Sequence, residues 1–159
     1  MTHPRPTATT FRLTERAYAD GEVRLGYAFD DGASMFERIR FPGAPATVPA
    51  GREAAFARAL ALLHGIAGVS YYKALVPERI EVQGEPLDPA LAALLDEVYL
   101  HGLGEFAHHN GLDLRGRIRF PQGAEPAPAA AALGLPRRAL VPIGGGKDSL
   151  VSIETLKRA

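Results

Sequence analysis

Three consecutive glycines near the C-terminal end constrain this chain more than any other feature. Gly144-Gly145-Gly146 follow the apolar run Leu140-Val141-Pro142-Ile143 and precede Lys147-Asp148-Ser149, then Leu150-Val151-Ser152-Ile153-Glu154. That order predicts a short strand, a glycine loop and the first turns of a helix. Glycine reaches backbone angles closed to other residues, so successive N–H groups can turn inward and form an anion-binding nest. A helix starting at Asp148 or Ser149 adds unpaired N–H donors and the positive end of its dipole. Lys147 brings a mobile positive charge, and Ser149 a hydroxyl able to reach phosphate or a metal-bound water. Together these groups describe a phosphate site.

The loop fits neither of the commonest phosphate patterns. A Walker A loop needs Ser or Thr after Gly-Lys and a glycine separated from that pair by four residues, where this chain has Asp148 and Val141. The dinucleotide-binding fingerprint lacks its later glycine. Gly144 to Ser149 instead resembles the Ser-Gly-Gly-x-Asp-Ser loop of the ATP pyrophosphatases, with glycine in place of the first serine. The resemblance implies ATP cleaved to AMP and pyrophosphate, often by adenylation of a substrate oxygen.

Bulk properties narrow the rest. The chain has 159 residues, enough for one domain with a real core, and a formal net charge of zero, so no global pull toward nucleic acid or membrane is expected. It has no cysteine, which excludes disulfides and thiolate metal sites and fits a reducing compartment. Residues 1–10 hold no apolar run of a secretory signal, and no later run is expected to reach transmembrane length. A cytoplasmic protein is the expectation.

Residues 1–10, rich in Thr and Pro, are expected to be disordered. Residues 11–121 predict an α+β domain. Phe11, Leu13 and Tyr18 suggest one strand, and Asp20-Gly21 a turn. Val23, Leu25, Tyr27 and Phe29 alternate as in a half-buried strand, and Asp30-Asp31-Gly32 form a second turn. Phe36 to Phe41 make a third strand with Arg38 and Arg40 toward solvent, completing an antiparallel meander. A helix is expected from Arg52 to Ala67, burying Phe56, Ala59, Leu60, Leu63 and Ile66, with His64 beside that stripe and Gly65 and Gly68 breaking it. Ile80 and Val82 suggest another strand. Asp88-Pro89 should start a helix that runs through about His109 on Leu91, Leu94, Leu95, Val98, Leu103 and Phe106, stopped by Asn110-Gly111. Residues 115–120 are consistent with a strand, 122–136 with an Ala/Pro-rich linker, and 137–159 with the start of an α/β domain.

Only ten residues follow Ser149, too few for the remaining strands of a doubly wound sheet, so the chain is expected to be the front third or so of a longer enzyme and inactive alone. The order of segments resembles the bacterial UDP-N-acetylmuramoyl-L-alanyl-L-glutamate epimerase family. The segments that carry the likeness are Phe29-Asp30-Asp31-Gly32, Arg40-Phe41-Pro42-Gly43, Ser70-Tyr71-Tyr72-Lys73, Gly102-Leu103-Gly104-Glu105-Phe106 and Leu140 to Ser149. The resemblance implies an α+β N-terminal domain followed by an ATP-pyrophosphatase domain, and inversion of the terminal L-Glu of UDP-MurNAc-L-Ala-L-Glu in peptidoglycan precursor synthesis. It also implies ATP and Mg²⁺, with Gly144, Gly145, Gly146 and Ser149 around the departing pyrophosphate. Lys147 would neutralise that group and Asp148 would help hold Mg²⁺.

Candidates for proton transfer are Tyr71, Tyr72, Lys73, Glu105, His108 and His109. Each also suits an ordinary role, as core packing, surface charge or helix end. The alternatives are another adenylating enzyme with the same loop, for tRNA modification or amide synthesis, and a non-catalytic α+β module. The expected partner is a small nucleotide-sugar peptide, without nucleic acid or membrane. The sequence leaves the oligomeric state open.

Overall fold

The computed structural model describes residues 8–126, 129, 132–136 and 138–158. Its sheet has four strands: β1 (Thr10–Ala19), β2 (Glu22–Phe29), β3 (Ser34–Arg40) and β4 (Arg79–Val82). Their order across the sheet is β3-β2-β1-β4, with β1 antiparallel to β2, β2 antiparallel to β3, and β4 parallel to β1. The meander is therefore as expected. Asp20 and Gly21 both take positive φ, +50° and +74°, as a two-residue hairpin with right-handed twist requires. Residues 1–7 of the expected disordered end lie outside the described residues, and Thr10 opens β1 rather than preceding the fold. Asp30 anchors this entry: its carboxylate accepts from the backbone N–H groups of Thr9 (2.9 Å) and Thr10 (3.2 Å).

Phe11, Leu13, Val23, Leu25, Tyr27, Phe29 and Ile80 are buried by the sheet's inner face. Helix α1 (Glu53–Tyr72) lies across that face, and α2 (Pro89–Gly102) packs on α1. The other sheet face is polar: Arg12 pairs with Glu81 at 2.7 Å, and the Arg24 guanidinium stacks 4.1 Å from the centre of the Phe36 ring. The domain is a two-layer α+β sandwich.

Several expectations are corrected. α1 runs five residues beyond Ala67, through Gly65 and Gly68. Both glycines are buried and mark close approach instead of helix breaking. A Cβ on Gly65 would stand 2.5 Å from Leu95 Cδ1, and one on Gly68 2.6 Å from the Tyr99 hydroxyl. The buried stripe is accordingly Leu60, Ala61, His64, Gly65, Gly68 and Tyr72, whereas Ala59 and Ile66 face outward. α1 is also long and apolar enough, by length and composition alone, to cross a membrane, contrary to the expectation that no run would be.

The helix expected through His109 is two helices. α2 begins at the Asp88 cap, whose side chain accepts from Leu91 N, and ends at Leu103; α3 (Gly104–Asn110) then stops at Gly111, φ +63°. Residues 115–120 form no strand. The Phe120 N–H goes to the Asp96 carboxylate at 2.7 Å, and the Phe120 ring meets Tyr99 edge-on, so this segment is held by side chains in place of a ladder.

Candidate functional site

Helix α4 (Lys147–Arg158) follows the glycine loop directly, with Asp148 in its first turn and Lys157 and Arg158 in its last, each sign matched to the dipole. Gly145 has φ +81°, a conformation glycine adopts without penalty. A Cβ on Gly144, Gly145 or Gly146 would meet nothing within 4 Å, so the backbone of all three faces open space. The Ser149 hydroxyl donates to the Gly146 carbonyl at 2.8 Å and closes the first turn. The geometry offers an open glycine loop at a helix N-terminus, with Lys147 and Asp148 exposed beside it.

The strand expected to feed the loop is not present among the described residues; Arg137 lies outside them. Leu140 is 96% exposed and Ile143 69%. No strand pairs with 140–143, and α4 packs against none of the other helices or strands. A parallel strand with two apolar side chains is stable only between neighbours that cover both faces. The four strands described belong to the antiparallel-based sheet and supply none.

The other candidates lie elsewhere on the fold. Tyr72 is fully buried, donates its hydroxyl to the Pro77 carbonyl at 3.1 Å, and is pushed up to about 12 by burial. Lys73 is exposed at the C-terminal cap of α1. Tyr71 stacks on Tyr27 with ring centres 4.5 Å apart and donates to the Glu37 carboxylate at 2.7 Å, which raises its pKa. Glu105 is exposed in the first turn of α3, and its carbonyl is 3.0 Å from His109 Nδ1. His108 and His109 end that helix with their rings edge to face. No hydrogen bond or ion pair among the described residues joins any of these to the glycine loop. Among the described residues there is also no group of three or more His, Asp or Glu that could hold a metal.

Sequence reasoning missed Glu37 and underrated His64. Arg38 and Arg40 were placed toward solvent, and strand alternation then turns Glu37 inward, toward Tyr71. That signal was available. His64 is 1% exposed, its Nε2 stands 2.8 Å from the Gly26 carbonyl, and its Nδ1 is buried without a partner.

The model of the MurL N-terminal domain matches residues 2–159. A relative from Xanthomonas oryzae pv. oryzae named UDP-N-acetyl-alpha-D-muramoyl-L-alanyl-L-glutamate epimerase is 53% identical over 95% of this chain and 34% of its own length. Relatives of the same name from Salinispora tropica and a Micromonospora species are 42% and 41% identical over 97% and 98% of this chain. The chain thus spans about a third of the length of the curated relatives it matches. No solved structure matches. With its single-faced sheet, crossing helix and following glycine loop, the chain belongs to the MurL N-terminal domain family.

Proposed function

We propose that this chain is the N-terminal part of a cytoplasmic, ATP-dependent epimerase that inverts the terminal L-Glu of UDP-MurNAc-L-Ala-L-Glu. The supporting observation is its similarity, along nearly its whole length, to relatives carrying that name. The open glycine loop before α4 is consistent with it, since it suits a diphosphate group.

Inversion at the α-carbon of a carboxylate needs activation, because the existing negative charge opposes a second one on the same group. ATP supplies that activation: a carboxylate oxygen bonds to the α-phosphorus, diphosphate leaves, and the resulting carbonyl accepts electron density when a base takes the α-proton. Return of a proton to the opposite face and hydrolysis would give the inverted product and AMP. In this chain the backbone N–H groups of Gly145 and Gly146 would hold the diphosphate, with Lys147 neutralising it and Asp148 helping to hold its Mg²⁺. The Ser149 hydroxyl would have to turn from Gly146 to reach phosphate. The adenine pocket and the proton-transfer groups are assigned to the remainder of the enzyme, and Tyr72 is left in the core.

The test uses a full-length protein carrying this chain. Asp148→Ala should abolish AMP and diphosphate formation with ATP and UDP-MurNAc-L-Ala-L-Glu while leaving its melting curve unchanged. Undiminished AMP release would refute the assignment. AMP release that requires tRNA or an amine donor would move the chain to another adenylating enzyme.

A further inference from the structure

We propose that the outer face of α1 and α2 is the seat of the polypeptide that makes up the other two thirds of the relatives' length. The inference rests on the fold and on that length, and stands whether or not the ATP chemistry is right.

The two faces of the domain differ. The outer sheet face carries arginines and glutamates; the outer helical face carries Glu53, Arg58, Glu97 and His101 among a larger set of small and apolar side chains. Ala54, Ala55 and Ala59 of α1 and Ala90 and Leu94 of α2 are exposed there, and Leu94 is 46% accessible. Ile66, 44% accessible, lies further along α1. Two adjoining hollows of about 650 and 580 Å³ open on this side, sharing Ala55, Ala59 and Leu133 in their walls. A continuous apolar surface of this kind on a small domain marks contact with another folded unit. Short side chains let a partner approach the helix backbones closely, as in helix packing.

The occupant follows from the path of the chain. Ala129, Leu133 and Leu135 of the Ala/Pro-rich segment already lie in these hollows. The described part of the segment therefore lies against this face, and 138–158 follow it in sequence, where Leu140, Ile143, Leu150 and Val151 are exposed. In the relatives the rest of the polypeptide is joined to this domain through that segment. A domain tethered there meets this face first, at the high effective concentration a short linker imposes. The charged residues in the walls of the two hollows are Arg52, Arg58 and Asp88, and Arg58 pairs with Asp88 at 3.6 Å, so the walls are otherwise uncharged.

The chain contains no cysteine, so single-cysteine variants report one site each. Ala59→Cys, Leu94→Cys and, on the outer side of β3, Arg38→Cys are placed in the 159-residue chain and in a chimera. In the chimera this chain replaces the matched third of the Xanthomonas oryzae relative. N-ethylmaleimide labelling is followed peptide by peptide by mass spectrometry, with the rate in urea as the unprotected reference for both proteins. Positions 59 and 94 should label at least about tenfold more slowly in the native chimera than in urea, because interface cores exclude water as interiors do. Position 38 should change little. Equal protection at 59, 94 and 38 in the chimera overturns the proposal. Protection of 59 and 94 in the isolated chain that disappears on dilution overturns it too, because a second copy is then the occupant.

Discussion

His64 Nε2 lies 2.8 Å from the carbonyl oxygen of Gly26, where the register of β1 against β2 shifts between Leu13 and Arg16. Gly26 has no partner residue on β1 there, and a Cβ on it would stand 2.4 Å from Thr14 Oγ1. The bulge thus requires glycine, and a side chain from α1 satisfies the carbonyl. With Nε2–H donating, Nδ1 is left unprotonated and buried without a partner.

Burial pushes the His64 imidazole below its ordinary 6.5, and the nearby Arg16 charge lowers it further against the opposing hydrogen bond to Gly26. The sign follows. The unfolded chain takes up a proton near 6.5 while the folded chain still refuses it, so stability is full above 6.5 and falls as the pH drops toward the folded value. Chemical denaturation at pH 7.5 and 5.5 should show a loss of at most about 1.4 kcal/mol over the unit below 6.5. His64→Gln should flatten that dependence, and an unchanged slope would place its origin elsewhere.

Gly65 and Gly68 should resist replacement although alanine is the better helix former. The intrinsic gain is about 1 kcal/mol, but crowding a packed core costs about 1–3 kcal/mol. Gly68→Ala should be destabilising by urea melting, because the neighbours of its Cβ are the buried Tyr99 hydroxyl at 2.6 Å and Tyr27 Cε1 at 3.1 Å. Gly65→Ala meets only the far end of Leu95, at 2.5 and 2.7 Å, so pairing it with Leu95→Val should recover stability relative to Gly65→Ala alone. Additive losses in the pair would contradict the close approach.

These two glycines illustrate what was legible. Asp20-Gly21, Asp88-Pro89 and Asn110-Gly111 act through their own backbone, and each did what its local chemistry predicts. Gly65 and Gly68 act through Leu95 and Tyr99, far along the chain, so local rules read them as helix breakers. Phe120 misled in the same way, since its N–H is taken by Asp96 and not by a neighbouring strand. The glycine loop and its helix were readable because each is set by consecutive residues. The strand before them was not, because a strand exists only with partners.

Glu37 should set the titration of Tyr71. The carboxylate accepts the phenol's hydrogen bond and disfavours its ionised form. Removing the charge with Glu37→Gln should bring that phenol back toward the ordinary 10, read from the rise of tyrosinate absorbance with pH. Tyr72, pushed up to about 12 by burial, should not move. An unshifted Tyr71 would remove Glu37 as the cause.

Gly145→Val separates loop function from domain stability. Gly145 sits at φ +81°, where a β-branched residue is strained by roughly 1–3 kcal/mol, so the nest should collapse to another conformation. In this chain α4 rests on none of the other helices or strands and a side chain at Gly145 meets open space, so the melting temperature of the 159-residue protein should stay unchanged. In a full-length protein the same substitution should weaken binding of diphosphate, measured calorimetrically, and lower AMP formation with it. Gly144→Ala, whose new methyl group meets open space at an ordinary φ, should be far milder. If Gly145→Val bound diphosphate as well as the parent, the phosphate would have to be held by side chains, with Lys147 the first to replace, and the backbone nest would lose its assigned role.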